Sequence, residues 1–413
     1  MRKILSSIDF GSDSYKIIVA EVFRNRYHVL SAASIKSKGI KHGIIVNVDE
    51  VVKSLAEALV NVEERLGLKI NKAVINIPSN YANFEVGRGM TTITNQNGLI
   101  SSNDIVRCIQ GSVYNQIPIN MELVTVIPIE FTIDENNKVK EPLRLPASQL
   151  SVKTIIITTP KKNIYSVLSV MEKVKVNVSD IILSGVGDYY TFADTNTDKV
   201  NGVVINIGHE TTTVSIFNKG VITNTEVLEI GNVNIDNDIS FIYKINKSDA
   251  SFLKESLALA HSENANADEY EEITDKLGEK IKINQYEISE IVSSRIQEIL
   301  SLAKKQINLL TKKEISYIII TGGITEIKDF KYIVEEIFGK SATIGLINSI
   351  GVRSGIYSCS LGMIKYFSSK LILRGKNYSI FSDDEIDVLS DKNKFNVTNN
   401  SILDKIFGYF FDN

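Results

Sequence analysis

The sequence predicts an α/β protein with more than one core, and three stretches predict it. Val203–Phe217 reads Val-Val-Ile-Asn-Ile-Gly-His-Glu-Thr-Thr-Thr-Val-Ser-Ile-Phe, two β-branched runs about a polar, Gly-containing break, which is the pattern of strand, tight turn and strand. A similar unit opens the chain, with a strand over Ile4–Asp9, a turn over Phe10–Ser14 and a strand over Tyr15–Phe23. The third is Ile315–Ile324, a buried-looking strand ending on Gly322-Gly323, with a helix opening near Lys328. Turns of this kind aim backbone N–H groups and hydroxyls at one point, and phosphate is the ligand best suited to them.

At 413 residues, 43% hydrophobic and 23% charged, the chain is long enough for two or more cores. A formal net charge of −3 gives no electrostatic footprint for nucleic acid, so no nucleic-acid partner is expected. Cys108 and Cys359 are far apart and lack a metal-ligand spacing, which suits small buried hydrophobes in a reduced cytoplasmic protein. The start is too short in apolar residues for a signal peptide, and nowhere do about 18 apolar residues run together.

In the first turn Gly11 permits close backbone approach, Ser12 and Ser14 supply hydroxyls beside Asp13, Lys16 supplies charge for phosphate, and Asp9 suits a hydrated Mg²⁺. Val51, Val52, Leu55, Leu59, Val62 and Leu66 share one helical face over Asp49–Leu66, and a strand follows at Lys72–Ile77. All six prolines lie between Pro78 and Pro160, which marks a small α+β insertion. Its expected parts are strands at Glu85–Thr94, Glu122–Thr132 and Val152–Thr159, with a helix at Ser102–Tyr114. A helix over Lys161–Val174 leads back to the central hairpin. Beyond Asp236 come a helical segment, an acidic loop or linker at Ser262–Glu272, two short β-like pieces and a long helix at Gln285–Leu310.

In order and separation the three turns resemble the phosphate 1, phosphate 2 and adenosine segments of the actin/Hsp70/sugar-kinase ATPase superfamily. The intervening chain resembles the FtsA family of bacterial cell-division proteins, through Lys38–Asn47, Val126–Asp134, Gly231–Ile239 and the adenosine strand. The resemblance implies an actin-like (ribonuclease H-like) two-domain ATPase fold with an inserted 1C (SHS2-type) subdomain. The expected divisions are subdomain 1A at 1–79, 161–197 and 349–375, 1C at 80–160, 2A at 198–240 and 313–348, and 2B at 241–312. A linker at 376–400 and a terminal helix at 401–413 complete them.

The resemblance further implies ATP and Mg²⁺ held by Asp9, Gly11, Ser12, Asp13, Ser14, Lys16, Asn206, Gly208, His209, Glu210, Thr211, Thr212, Lys254, Gly322, Gly323 and Ile324, with Asp9 reaching the ion through water. Against the superfamily pattern Asp-x-Gly-Gly-Gly-Thr-Thr-Asp, Asn206 and Thr213 replace carboxylates and Glu210 replaces a glycine beside the phosphates. An anion there costs on the order of several kcal/mol unless a cation offsets it, so fast hydrolysis is not expected. His209 as general base and Glu210 as a water-positioning group stand beside the plainer reading of solvated turn residues. Ser251 stands where an acid of the nucleoside pocket is expected.

After Lys376 the chain turns polar, and 401–413 then carries Ile402, Leu403, Ile406, Phe407, Phe410 and Phe411 on one helical face, as a membrane-interface helix does. Lys405 stands against Asp404 and Asp412, so anchoring would rest on apolar burial. Family likeness implies FtsZ bound through 2B, self-assembly into actin-like filaments, other divisome proteins through 1C, and a peripheral place on the cytoplasmic side of the membrane at the division site. The alternatives are a soluble ATP-dependent small-molecule kinase of the same fold and a PilM- or MreB-like actin relative.

Overall fold

In this computed structural model, residues 3–386 are described apart from 25, 96 and 383, and the expected membrane residues from Ile402 to Phe411 lie outside them. The chain begins with β1 (Lys3–Phe10), β2 (Ser14–Phe23) and β3 (Arg26–Lys36), a meander whose first two strands are buried almost throughout. A short hairpin follows, β4 (Ile40–Lys41) with β5 (Ile44–Ile45). Helix α1 (Val48–Leu66) starts where the Asn47 side chain accepts the Glu50 N–H and stops at Gly67 in the left-handed region. It leads to β6 (Lys72–Ile77).

The insertion comprises β7 (Asn83–Thr92), α2 (Ser102–Val113), β8 (Met121–Ile133), β9 (Asn137–Val139) and β10 (Gln149–Pro160). Ser101 and Asp104 form a capping box at the start of α2. The sheet runs β7-β10-β8-β9, its small core holding Ile105, Cys108, Phe131 and Leu150, while Val124, Ile127, Ile155 and Ile157 join the first domain's core. Strand β9 adds an edge that the sequence pattern does not announce, because only three polar-flanked residues form it.

The first domain continues with α3 (Lys161–Lys173), β11 (Asn177–Leu183) and α4 (Ser184–Phe192), and the helix at Ser358–Leu373 later returns to its core. Domain 2 begins with β12 (Asn201–Ile207), β13 (Thr212–Asn218), β14 (Val221–Leu228) and α5 (Asn232–Ile242). Then come α6 (Lys247–Ser256), the hairpin β15 (Tyr270–Thr274) and β16 (Lys280–Asn284), and α7 (Gln285–Leu310). The acidic stretch at 262–272 is therefore not all loop: its last three residues enter β15, where Glu272 is paired across the hairpin with Lys282. The fold ends with β17 (Tyr317–Thr321), α8 (Phe330–Phe338), β18 (Ala342–Ile344) and α9 (Ser358–Leu373). A 3₁₀ turn over Gly323–Glu326 separates β17 from α8, so the Gly-Gly turn does not open directly into the helix.

The two domains share a topology. Sheet β11-β6-β1-β2-β3 and sheet β14-β13-β12-β17-β18 each have a three-stranded antiparallel meander whose first strand also pairs in parallel with a later one. One face of the second sheet, including Val203, Ile205, Val214 and Ile320, packs under Ile288, Val292, Ile296 and Ile299 of α7. Its other face, with Val204, Phe217 and Ile319, belongs to the core of domain 1. Tyr189 of α4 stacks on Phe217 with ring centroids 4.1 Å apart, so α4 is the apolar joint between the domains.

Candidate functional site

The β1–β2 and β12–β13 turns face each other across the interdomain cleft. Asp9, the penultimate residue of β1, accepts a 2.7 Å hydrogen bond from Asn76 Nδ2 while the Phe10 N–H donates to Asn76 Oδ1 at 2.7 Å. Asn76 is buried near the end of β6 and so fixes the Asp9 carboxylate from the neighbouring parallel strand. Burial raises the Asp9 carboxyl above its ordinary range, against the opposing pull of the Lys16 ammonium. Lys16 in turn donates to the Ser14 carbonyl at 3.2 Å. The Asp13 carboxylate makes an exposed 3.7 Å pair with Lys36 at the turn's rim.

In the opposite turn the Gly208 N–H donates to the Thr211 carbonyl at 2.8 Å, which closes the hairpin. Its carbonyls at Gly208 and His209 accept the Asn232 and Val233 N–H groups at 2.9 and 2.8 Å, so the hairpin caps α5. Asn206 donates its amide to both oxygens of Asp188, at 2.8 and 2.9 Å, and Ser358 Oγ donates to Asp188 Oδ1 at 2.6 Å. Burial pushes the Asp188 carboxyl up to about 7, these hydrogen bonds oppose it, and the Asp9 charge adds to the rise. The third turn is pressed against the second: Gly322 has φ +105°, and a Cβ there would lie 2.1 Å from the Ile207 carbonyl oxygen, so no other residue fits.

These turns line a cavity of about 210 Å³, below the ~300–1,000 Å³ of ordinary small-molecule sites. Asp9, Gly11, Ser12, Asp13, Ser14, Lys16, Asn206, Gly208, His209, Thr211, Gly322, Gly323 and Ile324 all line it. Three expected residues do not. Thr212 is fully buried and donates to the Ile230 carbonyl at 2.8 Å, because strand alternation turns Thr211 and Thr213 to the cleft and Thr212 to the core. Lys254 lies buried on α6 and pairs with Asp236 of α5 at 2.6 Å, since a charge in that core needs a partner. Glu210 is absent from the lining because its carboxylate reaches across to domain 1 and accepts the His42 N–H at 2.6 Å. That hydrogen bond offsets part of the cost expected for an anion at this place.

The residues that sequence reasoning missed are Asp188, Asn76 and Asn232. Asp188 is the only charged residue between Asp180 and Asp194, and that isolation was its signal. The Asn232 amide oxygen is buried and has no hydrogen-bond partner among the described residues. No group of three His, Cys, Asp or Glu side chains among the described residues is placed to hold a metal directly. Two buried carboxylates and an unpartnered amide oxygen do fit a hydrated Mg²⁺, which keeps most of its waters and takes one or two carboxylates.

Two domains of one topology closing on such a cleft define an actin-like protein, and solved structures of that fold align along most of the chain. The PilM–PilN type IV pilus biogenesis complex matches with a TM-score of 0.59 and 11% identity, covering 87% of this chain and 97% of that one. MreB5 of Spiroplasma citri bound to ADP matches with a TM-score of 0.56 and 13% identity, covering 90% and 98%. Within that class the sequence is specific: the family described as cell division protein FtsA matches residues 203–362, and the SHS2 domain inserted in FtsA matches 79–158. The cell division protein FtsA of Bacillus subtilis is 25% identical over 373 residues, 90% of this chain and 84% of that protein. The chain belongs to the FtsA family of cell division proteins.

Proposed function

We propose that the protein binds ATP with a hydrated Mg²⁺ in the interdomain cleft, assembles with further copies of itself on the membrane, and tethers FtsZ filaments to its cytoplasmic face at the division site. The observation that carries the nucleotide part is the convergence of Lys16, Asp9 and Asp188 from separate elements on one cavity between two phosphate-type turns. Lys16 would meet phosphate charge, while Asp9 and Asp188 would accept hydrogen bonds from the ion's waters; the ion's contribution is to neutralise the phosphates. The MreB5 relative of the same fold holds ADP, which supports the reading. The tethering part rests on family membership and on the apolar pattern of the sequence over 401–413, since no described helix is long and apolar enough to cross a membrane.

Co-sedimentation with liposomes tests the tether. The full chain is expected to pellet with vesicles and to carry FtsZ filaments with it, while a chain lacking Ser401–Asn413 leaves both in the supernatant. Pelleting that survives the deletion would sink the anchor, and vesicle binding without FtsZ recruitment would sink the tether alone.

A further inference from the structure

The β4–β5 turn plays no part in the nucleotide reading above, yet it touches both phosphate turns. It is a two-residue hairpin loop, His42-Gly43, with φ +47° and +76°, the geometry of a type I′ turn. A histidine in the left-handed region is strained and persists where its surroundings hold it. Both amides of this turn are held. The Gly43 N–H donates to Ser12 Oγ of the first phosphate turn at 2.9 Å, and the His42 N–H donates to Glu210 Oε2 of the second at 2.6 Å. The first bond lies within domain 1, and the second crosses the cleft from domain 2. Ser12 and Glu210 are thus brought to neighbouring amides, and the gap between the two phosphate turns is bridged by protein. Glu210 occupies the position at which the superfamily pattern has a glycine.

We infer that Glu210 and the His42-Gly43 turn form a latch over the terminal-phosphate end of the cleft, so that the site takes a nucleoside diphosphate in preference to a triphosphate. The inference rests on the nucleotide reading above. A third phosphate clasped between the two turns meets the Glu210 carboxylate, a like charge at short range. To admit it, Glu210 must release the His42 N–H, and a charge-assisted hydrogen bond of this kind corresponds to about ten- to hundredfold in an equilibrium. A diphosphate leaves the latch shut. Triphosphate binding therefore unlatches the domains, and the latch couples the terminal phosphate to their opening.

The test measures ADP and ATP affinity, each with Mg²⁺, for the full-length parent, Glu210→Gly and Glu210→Gln. The parent is expected to favour ADP by about tenfold or more, and the glycine variant to narrow that ratio by about tenfold through tighter ATP binding. Glutamine keeps an acceptor for His42 but loses the charge, so its ratio falls between. An unchanged ratio in both variants overturns the inference and leaves nucleotide binding standing. If neither nucleotide binds parent or variants at millimolar concentration, the nucleotide reading fails and the preference fails with it. Hydrogen exchange of the nucleotide-free full chain reads the latch separately: the His42 amide is expected to exchange about tenfold faster or more in Glu210→Gly than in the parent. Equal exchange overturns the latch whatever the affinities.

Discussion

The β1–β2 and β12–β13 hairpins hold the same place in two sheets of one topology, and they differ in where their charge comes from. The first carries its own: Asp9, next to last in β1, pairs across the hairpin with Lys16 near the start of β2, and Asn76 of the adjacent strand holds the acid in position. The second has an amide, Asn206, at the strand position equivalent to Asp9, and the carboxylate arrives on α4 as Asp188. The one acid on its tip, Glu210, is spent on the opposite domain. The comparison teaches that duplicated topology preserves the cleft's shape while its charge can be supplied by any element that reaches the cleft. Here that element is the interdomain joint, so the electrostatics of the second turn depend on how α4 is seated.

Breaking that seat gives the largest expected effect. Helices α4 and α9 cross at Gly187 and Gly362, and a Cβ on Gly362 would lie 1.7 Å from the Gly187 carbonyl oxygen. In an exposed helix, glycine to alanine is worth about 1 kcal/mol of added stability. Gly362→Ala is expected instead to cost on the order of 3 kcal/mol, since the obstructing atom is backbone and cannot rotate away. Urea denaturation of the variant measures it, and a gain in stability would show that the crossing has slack and that Asp188 is not held by it.

How much of this was legible follows the range of the interactions. The strands of both hairpins and the bounds of α7, Gln285–Leu310, are written in local periodicity, because burial against one neighbour imposes it. The face of Thr212 was legible too: it alternates with Thr211 and Thr213 and shares a side with Val214 and Ile216, which sit in the domain 2 core. Asp188, Lys254 and Glu210 were not. Each has its partner far along the chain or on another element: Asn206 and Ser358 for Asp188, Asp236 for Lys254 and His42 for Glu210. No spacing rule encodes such pairings, and they exist only after the two domains have closed.

A medium effect sharpens the same comparison through pH. With its folded value raised to about 7 and an ordinary unfolded value of 3.8, the Asp188 carboxyl binds more protons in the folded state between those limits. Stability from this group is therefore fully present below about 4 and is lost as pH rises toward 7, at up to about 1.4 kcal/mol per pH unit. Asp188→Asn keeps one acceptor oxygen, which can take both Asn206 and Ser358 as Oδ1 does, and removes the titration. Denaturation in chelator from pH 4.5 to 7.5, intervals chosen at about half a unit, is expected to show a flatter profile for the variant. Parallel profiles would mean that Asp188 titrates alike in both states, so that the carboxylate lent to the second turn is ionised across this range and is not held neutral by burial.

The smallest effect leaves stability untouched and asks which part of the molecule opens. Burial holds the Cys108 thiol up at about 12, and burial together with the Asp9 and Asp188 charges holds the Cys359 thiol well above its ordinary value. Neither is expected to react with an alkylating reagent in the native protein near pH 8, since the thiolate is the nucleophile. Their routes to exposure differ. Cys359 lines the interdomain cleft, whereas Cys108 is sealed among Ile105, Phe131 and Leu150 in the insertion's own core. Domain opening exposes little buried surface, and unfolding of the insertion exposes much, so in low urea Cys359 is expected to label with a shallow denaturant dependence and Cys108 with a steep one. Two equal slopes would show that the cleft opens only by unfolding, which would make the joint between the two hairpins rigid and leave a triphosphate no route in.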